Sequence, residues 1–475
     1  MGKYTLFEFN DEFVKKIKDT REIPVHFYNK DGQILIYKKE KASPEEVSRL
    51  LKFISQGIFY DEKDSEKLIL KPKKKSPGVP EGLTDTKLIG EKYTKELVKD
   101  AEELFNELKE SSINSIHTKK TGKTLESLFS DFSNQADAMT GLVNIIEHMH
   151  DLETDFDVKT AIKRTVVAMA LKTRGMHAAL GYKDKMTVKR QIANLMMSSL
   201  LCDIGCYQMK MPTNSDLTTE QMEYVKNHPL LSYLMIAHEP SIDTRVKHNI
   251  LTHHRPNYED IHYNNYPNME VLQKRLVQIS GKYENDLSKR SVVEDIANQL
   301  TLFKENQHYL EDANVLAISS EFASLTSETP WRPAFSSVRA VKMIINNSFF
   351  SYTGRIMKEF LDYIAISLCD NKMILNLNDY IIIASIMHDG RAAFELCRID
   401  SISRYQSRPG VTRLASIQPV LAKKPKLYLR GFDLDSIRID RRKAHYELVM
   451  DDTRKIVYVI DPAYDTELYN IVRKI

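Results

Sequence analysis

The chain has 475 residues, a formal net charge of +3, 42% apolar residues and 28% charged residues. At about 150 residues per domain, this length predicts roughly three domains. Glycine and proline number only 16 each, which excludes a collagen-like or generally disordered chain. The near-balanced charge argues against a dedicated nucleic-acid-binding protein, which normally carries a basic stripe.

The sequence has no apolar stretch of about 20 residues and no apolar run of signal-peptide length near its start. Four cysteines are too few for a disulfide framework. These features predict a soluble, cytoplasmic protein with neither a membrane nor a nucleic acid as its partner.

The first 60 residues predict a small α/β domain. Strand-like segments at Pro24–Tyr28 and Gln33–Tyr37 flank a turn, which predicts a hairpin. A capping serine at Ser43, with a proline and two acids after it, predicts the start of a helix. The charged, proline-broken and glycine-containing segment 61–91 predicts a linker.

From 92 to 370 the apolar residues recur mainly at helical spacing, which predicts a helical domain. A polar helical segment near 272–310 is interpreted as an insertion. From 371 to 475, short apolar runs separated by turn signals predict a β-rich domain. The predicted strands are Met373–Leu377, Tyr380–Ile386, Ala393–Ile399, Lys426–Leu429, Ser436–Ile439, His445–Met450 and Ile456–Ile460.

A succession of polar residues in the helical region indicates a candidate metal site. Asp203 ends an apolar run, His228 follows 25 residues later, and the pair His253-His254 follows after another 25 residues. Three imidazoles and a carboxylate suit Fe, Mn or Zn, and helix bundles build such sites from different helices. The alternative is that these are ordinary core or surface histidines.

The same segments resemble the HD-GYP subfamily of HD-domain metal-dependent phosphohydrolases over about residues 150–365. Leu200-Leu201-Cys202-Asp203-Ile204-Gly205 is similar to the Leu-His-Asp-Ile-Gly signature of HD domains. The other matching segments, in the order of the subfamily, are Leu217–Gln221, Val225–Pro229, His253-His254, Tyr266-Pro267 and Phe322–Ala334. The resemblance implies a helical HD-domain core flanked by the small N-terminal α/β unit and the C-terminal β-rich domain.

The resemblance also implies hydrolysis of cyclic di-GMP by a cluster of two or three metal ions. Asp203 is then the bridging carboxylate, and Asp203, His228, His253 and His254 belong to one metal position. Tyr266 and Arg332 are the residues expected to contact the nucleotide. Paired ions suit this reaction because one activates water while both neutralise charge on the reacting oxygens.

The sequence departs from the family pattern at the other metal position. The histidine of the HD pair is Cys202, and the late aspartate falls on Ser320. The resemblance also implies an early histidine around residues 160–170, but no histidine lies between His150 and His177. We therefore expect one divalent metal ion at most, and a degenerate protein that serves as a regulatory or scaffold module for a signalling partner.

Two alternatives stay open at this point. The first is an active cyclic di-GMP phosphodiesterase that uses unusual ligands such as Glu321 and Cys202. The second is a sensor that binds a cyclic dinucleotide without hydrolysing it.

Overall fold

The computed structural model describes residues 4–6, 17, 19–28, 34–54, 58–64, 86–109, 115–133, 145–146, 155–177, 185–208, 217–254, 266–305, 310–329, 332–369, 372–386, 391–403, 405–421, 437–450 and 452–475. The chain divides into two compact units, Met1–Glu81 and Gly82–Ile475. The predicted fold class is confirmed, because a mainly helical region is flanked by a small N-terminal α/β unit and a C-terminal β-rich region. The finer domain boundaries at residues 60, 91 and 370 stay predictions.

The described residues of the N-terminal unit include a small antiparallel sheet and an 11-residue helix. Its strands are Tyr4–Leu6 (β1), Phe27–Tyr28 (β2), Ile34–Ile36 (β3) and Phe59–Asp61 (β4), in the spatial order β1-β4-β2-β3. The pairing of β2 with β3 confirms the predicted hairpin. Helix α1 (Pro44–Ile54) begins where expected, because Ser43 and Glu46 each accept a hydrogen bond from the backbone N–H of the other.

The second unit begins with a series of helices. Those longer than six residues are Thr86–Lys109 (α2), Ser115–Ser133 (α3), Phe156–His177 (α4), Lys185–Leu201 (α5), Thr219–Ile236 (α6), Thr244–Thr252 (α7), Met269–Tyr283 (α8), Arg290–Glu305 (α9), Leu310–Thr326 (α10) and Ser337–Ser351 (α11). A shorter helix, Gly354–Glu359 (α12), continues through the π-helical segment Phe360–Ala365 into Ile366–Leu368 (α13). The polar segment interpreted as an insertion forms most of α8 and α9; whether it is an insertion stays a prediction.

Helices α4 and α5 lie at the centre of this unit. Residues 161–172 of α4 and residues 195–202 at the end of α5 are buried without interruption. Helix α10 packs against both. A helix segment that is buried on all sides leaves its charged residues dependent on partners within the protein. This requirement governs the candidate site, which lies at the end of α5.

The C-terminal region is a five-stranded antiparallel sheet. Its strands are Tyr380–Ile386 (β5), Arg391–Ser401 (β6), Gly410–Leu421 (β7), Ile437–Glu447 (β8) and Lys455–Ile460 (β9), in the order β8-β7-β6-β5-β9. Alternate residues of β5 face opposite sides, as strand geometry requires. Ile381 and Ile383 join the core shared with the helices, and Ile382 joins a second core with the terminal helix Thr466–Val472 (α14).

The strands of the C-terminal region differ in part from those predicted. The strand at Met373–Leu377 is wrong, because this segment forms bends and turns, and Ile374 N and Leu375 N donate to the side chain of Gln406 rather than to a neighbouring strand. The strand at Lys426–Leu429 lies outside the described residues. The strands predicted near Ser436 and His445 are one continuous strand, β8.

No helix in the described ranges is both long and apolar enough to cross a lipid bilayer.

Lys455 joins the sheet to the helices, and its burial makes the stability of the protein depend on pH. Its Nζ donates to the carbonyl oxygens of Ser348 (3.0 Å) and Tyr352 (2.8 Å) at the end of α11. Burial lowers the pKa of Lys455 to about 7. The lysines of the unfolded chain have a pKa of ~10.4, so the unfolded chain binds more protons than the folded chain between these two pKa values. The contribution of Lys455 to the free energy of unfolding therefore rises with pH.

We expect the difference in unfolding free energy between wild type and Lys455→Met to move in favour of wild type from pH 7 to pH 10, by at most roughly 4 kcal/mol. Urea denaturation of both proteins across this range measures it. A difference that stays constant with pH would contradict the prediction.

Candidate metal centre

The end of α5, the middle of α6 and the end of α7 bring the predicted metal ligands together. Asp203 lies between α5 and a short 3-10 helix, Ile204–Gln208. His228 lies in the middle of α6, and the pair His253-His254 directly follows α7. The sequence placed these residues on different helices, and the structure places their side chains at one point.

One carboxylate oxygen of Asp203 faces two imidazoles. Its Oδ1 lies 3.2 Å from Nε2 of His228 and 3.5 Å from Nε2 of His253. The two Nε2 atoms lie 3.1 Å from each other. Three donor atoms from three segments of the chain therefore converge, as a metal site requires.

Hydrogen bonds on the far side of each ring determine which nitrogen faces the cluster. Nδ1 of His228 lies 2.7 Å from the carbonyl oxygen of Val225, and Nδ1 of His253 lies 2.7 Å from that of Ile250. A carbonyl oxygen only accepts hydrogen bonds, so both Nδ1 atoms carry the proton. In the neutral rings, both Nε2 lone pairs then face the carboxylate of Asp203 and each other. A cation bound between them would remove the electrostatic repulsion among these three acceptor atoms.

The local sequence explains why these two carbonyls are free to accept. Pro229 has no N–H, so the helical hydrogen bond from residue 229 to Val225 cannot form, and the ring of His228 takes that place. Ile250 lies in the last turn of α7, where carbonyl oxygens lack a helical partner, and His253 follows the helix end. The His-Pro pair and the helix end therefore orient the two imidazoles.

His254 and Tyr266 extend the cluster. Nitrogens of His228, His253 and His254 lie within 4.8 Å of one another, so all three rings can contribute to one site. The ring of His254 stacks on that of Tyr266, with centroids 3.7 Å apart and an angle of 8° between the planes. Burial raises the pKa of the Tyr266 hydroxyl, which therefore stays protonated.

The other carboxylate oxygen of Asp203 is bound to Arg164. The guanidinium donates through one terminal nitrogen to Oδ2 and through Nε to the carbonyl oxygen of Ser199. Arg164 lies on α4 and is 1% exposed, whereas the side chain of Asp203 is 39% exposed. Solvent therefore reaches Asp203, as it reaches His254 and Tyr266, whereas His228 and His253 are buried.

These contacts determine the charge of Asp203. Desolvation raises the pKa of its carboxyl, but the charge of Arg164 and the contacts of the His228 and His253 rings with Oδ1 outweigh desolvation and hold the pKa well below its usual range. Burial lowers the pKa of His253, which favours its neutral, metal-binding form. The cluster therefore contains an ionised carboxylate beside an imidazole that favours the neutral state.

Cys202 lies beside the cluster. Its Sγ is 3.7 Å from Oδ1 of Asp203, and it forms a second group of donor atoms with Asp203 and His253. Burial raises the pKa of both Cys202 and Cys206 well above the usual range, so both are neutral thiols in the absence of a cation.

Glu321 and Arg332 have other partners. The carboxylate of Glu321 accepts hydrogen bonds from Asn347 and Tyr352, and it is in neither donor group formed by the described residues. The guanidinium of Arg332 donates to the carbonyl oxygens of Ser324 (2.7 Å) and Leu325 (3.2 Å) near the end of α10. The structure thus leaves both outside the cluster, and the nucleotide-binding role of Arg332 stays a prediction.

Arg164 is the site residue that sequence analysis missed. The resemblance leads one to expect a histidine around residues 160–170, and the structure has Arg164 on this segment, with its guanidinium on Asp203. The sequence signal was weak, because the buried segment 161–172 holds three cations, Lys163, Arg164 and Lys172, each of which requires a partner.

Gly205 and Ser232 hold the turn of Asp203 against α6. The hydroxyl of Ser232 donates to the carbonyl oxygen of Cys202 (2.7 Å) and accepts from the N–H of Gly205 (2.9 Å). A Cβ added at Gly205 would lie 2.6 Å from the carbonyl oxygen of His228 and 2.6 Å from the nitrogen of Ser232. The absence of a side chain at Gly205 therefore allows Asp203 and His228 to approach.

No protein-family profile and no curated protein matches this chain. A solved structure of an HDG"Y"P protein from Bdellovibrio bacteriovorus is similar to it, with a TM-score of 0.38, 12% sequence identity, and coverage of 78% of this chain and 99% of that chain. A TM-score this low assigns neither a function nor site residues to this chain.

We expect Gly205→Ala to destabilise the protein by roughly 3 kcal/mol, because the new Cβ meets backbone atoms that cannot move independently. Gly281→Ala in α8 is the matched control, because nothing lies within 4 Å of its added Cβ and alanine is the better helix former. Urea denaturation of both variants measures the effect. Equal stability of Gly205→Ala and Gly281→Ala would contradict the prediction.

Proposed function

We propose that this protein is a degenerate HD-GYP-type module that binds one divalent cation and regulates a partner protein in cyclic-dinucleotide signalling, without efficient hydrolysis. The observation that carries the proposal is that the two carboxylate oxygens of Asp203 have different partners. Oδ1 faces His228 and His253, whereas Oδ2 is bound to Arg164.

The donor atoms support a single cation site. Asp203, His228, His253 and His254 offer three imidazole nitrogens and one carboxylate oxygen, a set that suits Fe, Mn or Zn. The Nδ1 hydrogen bonds of His228 and His253 are typical of imidazoles that present Nε2 to a metal.

The opposite side of Asp203 argues against hydrolysis. Phosphodiester cleavage by paired ions needs a second cation about 3.5–4 Å from the first, and a bridging carboxylate gives one oxygen to each ion. Here the second oxygen accepts from a guanidinium, which is a cation that cannot activate water. Ser320, at the expected position of the late aspartate, offers only a hydroxyl.

Regulation by a cyclic dinucleotide rests on the resemblance together with the surroundings of Tyr266. The stacked rings of Tyr266 and His254 lie next to the candidate cation position. A bound cation beside an aromatic ring suits a ligand that carries both phosphates and bases. Asp203 is partly exposed, which leaves an approach for such a ligand.

The second candidate function is an active phosphodiesterase with unusual ligands. The position of Cys202 favours it, because its thiol belongs to a donor group with Asp203 and His253. The contacts of Glu321 count against it, because this carboxylate accepts from Asn347 and Tyr352.

Elemental analysis of protein loaded with Mn, Fe or Zn and then desalted tests the cation site. We expect one ion per chain in wild type and less than about 0.2 in His253→Ala, because removal of a buried ligand leaves an incomplete site. His238→Ala is the control, because this histidine is exposed and outside the donor groups, and it keeps the wild-type content. Two ions per chain in wild type would contradict a single site.

Calorimetry and product analysis with cyclic di-GMP test the ligand. We expect the metal-loaded protein to bind the dinucleotide without converting it over hours. Tyr266→Ala is expected to weaken binding about tenfold, and Tyr266→Phe, which keeps the ring, is expected to bind like wild type. Turnover that Asp203→Ala abolishes would establish the phosphodiesterase instead, and absence of binding would leave a scaffold alone.

A further inference from the structure

Arg164 differs from the buried lysines of the second unit in what it contacts. Lys163 and Lys358 donate to backbone carbonyl oxygens. Lys172, on the same helix as Arg164, pairs with Glu311 and Asp312, and Lys247 pairs with Asp295. Those carboxylates are outside the two donor groups, whereas Arg164 pairs with the carboxylate that both His228 and His253 face. Among the buried cations in the described part of the second unit, Arg164 is therefore the one that contacts a carboxylate of the candidate metal site.

The guanidinium of Arg164 is a permanent counter-ion for the carboxylate of Asp203. The chain itself supplies the charge, and the hydrogen bond from Nε to the carbonyl oxygen of Ser199 fixes the group at the end of α5. An arginine stays protonated at any pH at which the protein is folded. Asp203 is therefore compensated whether or not a divalent cation lies between the imidazoles.

We propose that Arg164 is a built-in substitute for a second metal ion: its guanidinium neutralises Asp203, keeps the cluster assembled without metal, and competes with a divalent cation for the charge of this carboxylate. The inference rests on the proposed function, because it takes the imidazoles and Asp203 as the cation site. It adds that Arg164 makes the folded state largely independent of metal and weakens the binding of the one ion.

The competition follows from electrostatics. A divalent ion on Oδ1 and a guanidinium on Oδ2 repel each other, and the protein between them screens this repulsion less than water does. Without the guanidinium, the partly exposed carboxylate of Asp203 has no fixed cation on Oδ2, which costs stability until a metal ion binds. Loss of Arg164 therefore lowers stability in the metal-free state and increases the stabilisation that metal provides.

The test is the rise in melting temperature that ZnCl₂ or MnCl₂ produces relative to EDTA, measured on the full chain. We expect a small rise for wild type. For Arg164→Gln we expect a clear loss of melting temperature in EDTA and recovery of at least half of that loss with metal. By linkage, the greater stabilisation corresponds to metal binding at least about fivefold tighter than in wild type.

Lys172→Gln is the matched control, because it removes another buried cation from the same helix without touching the cluster. It is expected to lose melting temperature in EDTA without recovery by metal. Arg164→Lys keeps the charge, so its metal-induced rise is expected to stay close to that of wild type even if it is less stable.

The outcomes separate the inference from the proposed function. The inference is overturned if metal raises the melting temperature of Arg164→Gln no more than that of Lys172→Gln, or if metal binds Arg164→Gln more weakly than wild type. The proposed function still holds in that case if wild type takes up a single ion. Wild type that takes up no ion in elemental analysis overturns the proposed function. If Arg164→Gln does not fold in EDTA, refolding of the variant with and without metal gives the same readout: equal yields overturn the inference, and metal-dependent refolding supports it.

Discussion

A single carboxylate with cationic or metal-binding partners on both sides is the constraint around which this structure is organised. Asp203 follows the buried end of α5 and its side chain is only partly exposed, so a compensating charge within the protein stabilises it. Arg164 does so from α4, through Oδ2, and the imidazoles of His228 and His253 face Oδ1. The same carboxylate therefore connects the central pair of helices, α4 and α5, to the helices that carry the histidines.

Backbone groups without helical partners build the remainder of the site. Pro229 releases the carbonyl oxygen of Val225, and the end of α7 leaves that of Ile250 available, so each imidazole finds an acceptor for Nδ1 and directs Nε2 to Asp203. Gly205 lets the intervening turn lie against α6. The chemistry of the site thus depends on a proline, a glycine and a helix end. These features normally interrupt helices, but here they orient the two imidazoles and let Asp203 approach them.

Much of this could be predicted from the sequence, because the signals were local. Apolar periodicity predicted the helical region that contains α4 to α7, and the ordered motif around Asp203, His228 and His253 identified residues that meet in the structure. Arg164 could not be assigned in this way, because its partner lies 39 residues away along the chain and the pairing exists only once α4 and α5 are packed. The strand predicted at Met373–Leu377 is wrong for a related reason: a short apolar run also suits a turn whose backbone N–H groups donate to a distant side chain, that of Gln406.

The central claim is that one divalent cation shares Asp203 with Arg164. A crystal structure of manganese-soaked protein, with anomalous difference maps collected above the manganese edge, tests it most directly. The account predicts one anomalous peak, bounded by Nε2 of His228, Nε2 of His253 and Oδ1 of Asp203, with the guanidinium still on Oδ2. Two peaks within about 4 Å of each other, with Arg164 displaced from Asp203, would contradict it.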